Sequence, residues 1–511
     1  MEYIIVQAGG KGTRLGYLTR NKPKALVPVE NLPMLFHLFQ KYPDKRFLII
    51  ADYHKEVLRQ YLAAFAQVKY QVVDAQGAGT CAGIRQALEL IPEKQPFMLI
   101  WSDLILPNSF CLPEEYNRSF SYNLYPLNEE FPSNNYIGIS KTFLCRWNYQ
   151  NGCFTEQQSK EHGVAGLFLF RDKEELAEIP QSGELVRWMG QRMWRFQELD
   201  LSGTKEFGLL EQYKKLRKEK CRPFNRIRIQ GDILIKEPVD RQGEKLAQRE
   251  CTWYKKAIEY KIEILPYIYS EKPLTMEYIH GKNIYEYQLS YDEKITILEK
   301  LVAALKKLHQ SDSIPADSFS LKEAYFNKTM DRLSQIEDLI PFGRKEIIRI
   351  NGKHCRNIFF YKRELEKKLE ELSCEKFDFI HGDCTFSNMM LKDNAEPVLI
   401  DPRGYFGYTE LYGDARYDWA KLYYSIVGNY DSFNLKNFQL KIGQDEVMLE
   451  IESNGWEDME EEFFKLTGTI KEEIQLLHAI IWLSLTTYAW EDYDSICGAF
   501  YNGLYYLEDL L

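Results

Sequence analysis

The chain has no excess of positive charge. Its 75 Asp and Glu outnumber 65 Lys and Arg, for a formal net charge of −10 at pH 7. A general nucleic-acid binder needs a basic footprint, so that class is excluded. No uninterrupted apolar run approaches the ~18 residues of a spanning helix, and no membrane span is expected. The ten cysteines are scattered, with no CxxC pair and no zinc-like spacing. Free thiols in a reducing compartment are therefore the expectation. The opening "YIIV" reads as a strand, without the basic region and long apolar core of a signal peptide. Tandem repeats and low-complexity segments are also missing. What remains is a cytoplasmic, enzyme-like chain of 511 residues, 45% hydrophobic and 27% charged. That length is too great for one ordinary core and suits roughly two to four domains.

In the first part, "YIIVQA", "RFLIIA", "YQVVDA" and "PFMLIWSD" read as strands, with helical stretches such as "HKEVLRQYLAAFA" and "AGIRQALELI" between them. This alternation predicts an α/β domain, residues 1–218, with a Rossmann-like, mostly parallel sheet and helices on both faces. Residues 107–165 read as extra strands and loops over the site. A charged helix, "KEFGLLEQYKKLRKEK", and Pro223 mark the boundary. Then "RIRIQGDILIKEP" predicts two strands around a Gly-Asp turn, followed by a helix, "GEKLAQRECTWYKKAIEY", and a strand, "PLTMEYI". From about residue 290 helices dominate, interrupted by a hairpin at 388–401. A small β-rich lobe (219–282) before a helical lobe (283–511) is the bilobal plan of protein-kinase-like phosphotransferases.

Two stretches carry chemistry. The first is "QAGGKGTRLGYLTRNKPKALVPV", from Gln7. Gly9, Gly10 and Gly12 after a strand let backbone N–H groups approach a polyphosphate closely. A helix beginning there would add partial positive charge. Arg14 and Lys24 supply full charges. The plain alternative is a glycine turn with exposed basic residues. With "PKALVPV" downstream, the segment resembles the signature of nucleotidyltransferases that make nucleoside-diphosphate sugars and CDP-alcohols. The resemblance implies that Ala8, Gly9, Gly10, Gly12 and Thr13 hold an NTP triphosphate, with Arg14 and Lys24 on its phosphates. It also implies that Gly79 and Thr80, in "GAGTCAGI", lie near base and sugar. Asp103, ending "FMLIWSD", is a carboxylate placed for Mg²⁺. The family's second metal Asp precedes a "GT"; here "ELDLSGTKEF" offers Asp200, with one residue more than the usual spacing. A surface-loop Asp is its rival reading. The implied reaction is attack of a phosphate oxygen on the NTP α-phosphorus with loss of pyrophosphate.

The second stretch is "HGDCTFSNMMLKDNAEPVLIDPRG". Read as a hairpin turning at Asp393-Asn394, it puts Asn388 and Asp401 at one open end, where Mg²⁺ could bridge them. Asp383, on the loop entering it, can act as base toward a hydroxyl. The pattern resembles the aminoglycoside phosphotransferase and choline kinase family, and "YGDARYDWAKLYYS" strengthens the match. The resemblance implies that Lys236 meets the ATP phosphates and that Glu250 is its ion-pair partner, with Glu244 competing. It further implies a hinge at Glu277 and Tyr278 that holds adenine through backbone bonds. Asp418 and His381 are expected to hold the loop. No GxGxxG covers the phosphates, and a pseudokinase lobe is the plain alternative.

A kinase yields a phosphomonoester and a nucleotidyltransferase consumes one. The expectation is a bifunctional enzyme: ATP phosphorylates a small alcohol, amino-alcohol or sugar, and an NTP then activates the product for bacterial surface glycan decoration. Fusions of phosphocholine cytidylyltransferase with choline kinase share this domain order, so CTP leads. A sugar-1-phosphate route with CTP, GTP or UTP and a regulatory nucleotide-binding scaffold are the alternatives. Trp482, Trp490, Tyr488 and the acidic "EDYD" at 491–494 could cage a quaternary ammonium. Aromatics at these spacings can equally be helix core.

Overall fold

The structure is a computed structural model describing residues 1–117, 135–208, 210, 225–392 and 396–511. The chain forms two compact units, Met1–Glu219 with Glu491–Tyr493, and Lys220–Trp490 with Asp494–Leu511.

In the first unit, β1 (Tyr3–Gln7), β2 (Arg46–Ala51), β3 (Lys69–Asp74) and β4 (Phe97–Trp101) form a parallel sheet in the order β3-β2-β1-β4. Central parallel strands are covered on both faces and read as continuous apolar runs. Accordingly Ile4, Ile5, Val6, Phe47, Ile49, Leu99 and Ile100 are buried. The helices α1 (Met34–Lys41), α2 (Lys55–Phe65) and α3 (Thr80–Glu89) connect them. The sheet continues through β5 (Tyr136–Ser140), β6 (Gly163–Phe170) and β7 (Gln197–Asp200). β6 runs antiparallel to β4 and β5, while β7 is parallel to β5. The charged helix expected from Lys205 does not begin there: Lys205–Glu206 is a short strand paired antiparallel with Leu104–Ile105. Backbone pairing beside Asp103 outweighs helical propensity at these two residues. The rest of that expectation, at 209 and 211–224 with Pro223, lies outside the described residues.

In the second unit, β8 (Asn225–Gln230), β9 (Ile233–Pro238), β10 (Ile268–Glu271) and β11 (Leu274–Glu277) make an antiparallel sheet in the order β8-β9-β11-β10. Gly231, at φ +61°, turns the first hairpin. α4 (Arg241–Glu259) follows it. The helical part includes α5 (Tyr291–Ser311), α6 (Ala415–Ile426) and α7 (Lys471–Leu485). The hairpin of β12 (Met389–Lys392) and β13 (Glu396–Leu399) interrupts it, and its Asp393-Asn394 turn lies outside the described residues. A second interruption was not expected. Ile347–Ile350, Lys353–Arg356, Phe438–Ile442 and Glu446–Ile451 form another four-stranded sheet.

Candidate active sites

At the end of β1, Ala8 is buried and its N–H donates to Ile50 O at 3.0 Å, which fixes where the glycine loop begins. Gly12 adopts φ +60°, and a Cβ there would lie 3.1 Å from Lys24 Cβ. Only glycine suits both the left-handed backbone and this close approach. No α-helix follows this loop directly. Thr13–Thr19 is a 3₁₀ segment broken at Gly16, so no helix end supplies charge here. Lys24 is instead brought to Asp103, with Nζ 2.5 Å from Oδ2 and both side chains largely buried. Lys11, Thr13, Arg20 and Tyr53 line a neighbouring cleft of about 320 Å³. Gly79 caps α3 at φ +87°, where any side chain would collide with Gly183 O. Thr80 Oγ1 accepts from Leu185 N at 2.8 Å. These two residues thus lock α3 to the 183–185 segment.

A carboxylate absent from the sequence reading joins Asp103. Glu206 sits on the strand paired with Leu104–Ile105, and Phe207 N donates to Asp103 O at 3.3 Å. A Cβ on Gly208 would collide with Glu206 Oε1 and lie 3.2 Å from Arg14 Nη2, so both side chains converge over that glycine. Burial, then the Asp103 charge, pushes the Glu206 carboxyl above its ordinary range, opposed by Lys24 and Arg14. Asp200 is placed differently. It is exposed at the end of β7, accepting from Ser202 N at 2.9 Å and from the Ser202 hydroxyl. Those bonds, with the charge of Lys141, hold its carboxyl low. The only sequence signal for Glu206 was its place shortly after the "GT", four residues beyond Leu201-Ser202.

In the second unit the loop entering β12 is built from mutually bonded side chains. Asp418 accepts from His381 N (2.9 Å), Gly382 N (2.7 Å) and His309 Nε2 (3.0 Å). Burial alone would raise its carboxyl; the bond and charge of His309 prevail and hold it low. His381 is buried and neutral, its pKa lowered by burial. Its Nε2 donates to Ile400 O at 3.1 Å, and its Nδ1 accepts from Asp383 N at 3.3 Å. Asp383 is half-buried, and Asn388 Nδ2 donates to its Oδ2 at 3.0 Å. Lys421 Nζ lies 3.0 Å from Asp383 Oδ1. Burial would lower the Lys421 ammonium, but the Asp383 charge raises it. Ile400 N donates to Asn388 O at 3.0 Å, so Asn388 and Asp401 flank one open end of the hairpin.

In the small lobe, Lys236 on β9 bridges Glu250 of α4 at 2.7 Å and Asp401 at 2.6 Å. Of the two candidate glutamates, Glu250 is the one so paired. It is buried, and burial pushes its carboxyl up to about 7. The N–H groups of Glu277 and Tyr278 donate to Tyr267 O and Asp232 O, both at 2.8 Å. A base meeting this edge would have to use other backbone groups. Trp482 is core, fully buried and hydrogen-bonded through Nε1 to His478 Nε2 at 2.9 Å. The Tyr488 ring already faces a cation, the Arg332 guanidinium, 5.9 Å from its centroid.

Among the described residues no group of three or more His, Cys, Asp or Glu forms a metal cluster, and no helix is long and apolar enough to cross a membrane. The oxygen donors present still fit a hard divalent ion: Asp103 with Glu206 at the first site, Asn388 with Asp401 at the second. The donor chemistry contains no thiolate or imidazole that would favour zinc.

Residues 3–112 match the Nucleotidyl transferase family, and residues 270–444 match the Phosphotransferase enzyme family. The chain is similar to the bifunctional protein GlmU of Methanococcus maripaludis strain C7, 30% identical over 108 residues, or 20% of this chain and 25% of GlmU. It is 40% identical to the UTP–glucose-1-phosphate uridylyltransferase AglF of Haloferax volcanii over 60 residues, 11% of this chain and 25% of AglF. The chain thus spans about a quarter of the length of these curated relatives. Among solved structures, the inositol-1-phosphate CTP transferase of T. maritima aligns with 43% of this chain and 98% of its own, at 16% identity and a TM-score of 0.31. The CTP:phosphocholine cytidylyltransferase LicC of Streptococcus pneumoniae aligns with 42% and 98%, at 18% identity and a TM-score of 0.31.

Proposed function

Since the chain joins a nucleotidyl transferase family domain to a phosphotransferase family domain, we propose that it is a bifunctional enzyme acting in sequence. ATP phosphorylates a small alcohol, amino-alcohol or sugar at the second site. The first site then transfers a nucleotidyl group to that phosphomonoester. The observation that carries this reading is the pair of carboxylate–lysine contacts, Lys24–Asp103 in one unit and Lys421–Asp383 in the other.

At the second site Asp383 takes the proton of the acceptor hydroxyl, whose oxygen attacks the γ-phosphorus as ADP leaves. Asn388 holds the carboxylate in place through its 3.0 Å bond, and Lys236 neutralises ATP phosphates. At the first site a phosphate oxygen of the monoester attacks the NTP α-phosphorus and pyrophosphate leaves. Gly9–Thr13 supply backbone donors, while Arg14 and Lys24 balance the charge that develops. Mg²⁺, held by Asp103 with Glu206 or Asp200, and by Asn388 with Asp401, would supply charge neutralisation on the phosphates. CTP is the proposed nucleotide, on the domain order of phosphocholine-type fusions. The product would feed surface glycan decoration from the cytoplasm. A sugar-1-phosphate route with UTP is the second reading, supported by the identity to AglF.

The test uses γ-labelled ATP, candidate alcohols and each NTP in turn. The label should enter a phosphomonoester and then persist in an NDP-linked product, with pyrophosphate released only when the NTP is added. Pyrophosphate formed from the free alcohol without ATP would sink the sequence of steps.

A further inference from the structure

Beside Asp383 lies a group of basic side chains, most of whose hydrogen-bond partners are neutral. Lys421, which pairs with Asp383, also faces the Tyr417 ring at 5.9 Å. Arg403 Nη1 donates to Tyr417 Oη at 2.7 Å, and its Nη2 to Tyr405 Oη at 3.1 Å. Arg403 also backs the catalytic loop directly, since a Cβ on Gly382 would lie 2.9 Å from Arg403 Cβ. Lys328 Nζ sits 5.8 Å from the centroid of the same Tyr405 ring. Arg332, one helical turn beyond Lys328, donates to Ser484 Oγ at 3.0 Å. Among the described residues, neither Arg403, Arg332 nor Lys328 has a carboxylate within ion-pair distance. Glu323, whose charge acts on Lys328, accepts from Tyr408 Oη at 3.0 Å. Lys328, Arg332 and Arg403 are each half-buried.

Like charges gathered in a partly dehydrated place are costly without a counter-ion. Burial first, and then the charges of Arg403, Arg332 and Lys421, push the Lys328 ammonium down to about 6 against the opposing charge of Glu323, so an anion seated there would favour its charged form. The helix Lys328–Ile336, which bears Lys328 and Arg332, is preceded by a π-turn at Glu323–Asn327, a feature frequent at functional sites. Guanidinium forks and an ammonium together suit an oxyanion.

We propose that the alcohol phosphorylated at this site carries an oxyanion, a carboxylate or a phosphate, seated on Lys328, Arg332 and Arg403 with its hydroxyl at Asp383. The inference rests on the kinase reading for the hydroxyl; the anion seat stands on its own geometry. It narrows the acceptor away from choline-like headgroups, whose ammonium would face like charge. Lys421 is bound to Asp383 and belongs to the transfer machinery.

The test is calorimetric binding to the full chain, saturated with a non-hydrolysable ATP analogue so that the nucleotide site is filled. Glycerate and glycerol 3-phosphate should each bind at least tenfold more tightly than glycerol, ethanolamine or choline. Lys328→Met should weaken both anions about tenfold and Lys328→Arg should restore them. With ATP, Lys328→Met should raise KM for the anionic alcohol and leave KM for ATP unchanged. A carboxylate seat and a phosphate seat separate by which of the two anions binds better. Preferred binding of choline or ethanolamine overturns the proposal. So does anion affinity that is absent, or that survives in both Lys328→Met and Arg332→Met. If anions bind as expected but no alcohol is ever phosphorylated, the kinase reading falls and the anion seat remains.

Discussion

The glycine loop at Gly9–Thr13 is made of backbone, and the charged groups near it come from elsewhere: Lys24 from a later turn, Asp103 from beyond β4, Glu206 from a short strand. The loop at His381–Asn388 is made of side chains bonded to one another and to α6, through Asp418 and Lys421. A backbone cradle with imported charges tolerates change in its individual side chains until a charge is removed. A side-chain lattice fails at whichever member carries the proton. The two sites should therefore respond differently to single substitutions, and each prediction below tests that difference.

The largest effect is expected at Asp383. Asp383→Asn keeps size and the contact with Asn388 but removes the proton acceptor, a loss of ~10²–10⁴ in phosphoryl transfer. Supplied with the phosphorylated acceptor, the same variant should form NDP-linked product at nearly the wild-type rate. Equal loss with both acceptors would mean that the two sites are not separable in the way described. The reciprocal change follows closely. Lys24→Ala removes the ammonium 2.5 Å from Asp103 and should lower nucleotidyl transfer by ~10²–10³. Consumption of ATP with the free acceptor should be retained, as read by ADP release.

The same contrast decides what could be read from sequence. Part of the side-chain lattice was legible because Asp383, Asn388 and Asp401 surround one hairpin, whose register follows from alternation; His309 and Lys421 join it from distant helices and were not singled out. The glycine loop was legible for its spacing, but its carboxylate partners were only half so. Asp103 ends a strand; Glu206 reaches the site through pairing across a hundred residues, which no local pattern announces. Lys205–Glu206 sit in a charged, helix-favouring run, so tertiary pairing overrode propensity there. The extra sheet of the second unit did leave a signal. Asn351 and Gly352, at φ +49° and +82°, are an Asn-Gly hairpin turn between alternating apolar residues. The Lys328, Arg332 and Arg403 group left none, because its members gather only when two distant segments pack.

The third prediction concerns acid. His478 packs against Tyr423 and Tyr424 of α6, the helix that carries Asp418 and Lys421. Trp482 donates to its Nε2, so the buried imidazole must stay neutral, and burial pushes its pKa from 6.5 down to about 3. Between about 3 and 6.5 the unfolded chain therefore binds a proton that the folded chain refuses. Stability rises with pH across that window and is lost as pH falls through it. At pH 5 the second unit should be about 2 kcal/mol less stable than at neutral pH, a factor of roughly thirty. His478→Gln keeps an acceptor for Trp482 without titrating and should flatten the slope in denaturant midpoints between pH 5 and 7.5. An unchanged slope would place the acid-sensitive group elsewhere.

The smallest effect separates the two carboxylates that compete to partner Asp103. Glu206 shares the field of Asp103, Lys24 and Arg14, and its carboxyl is raised by burial and then by the Asp103 charge. A divalent ion held by the two would relieve that repulsion and lower the Glu206 carboxyl. Asp200 is exposed and accepts from Ser202, and the charge of Lys141 acts on it. Removing a carboxylate that helps hold a metal costs about tenfold in metal affinity or more. Glu206→Gln should thus raise the Mg²⁺ concentration for half-maximal nucleotidyl transfer about tenfold, while Asp200→Asn should change it less than threefold. Phosphoryl transfer at the second site, titrated in the same preparations, should show no change in either variant. The reverse order, with Asp200→Asn the more damaging, would mean that the 200–206 segment rearranges when the triphosphate binds. The backbone-built site would then depend on a mobile carboxylate, and the contrast with the preformed lattice around Asp383 would sharpen.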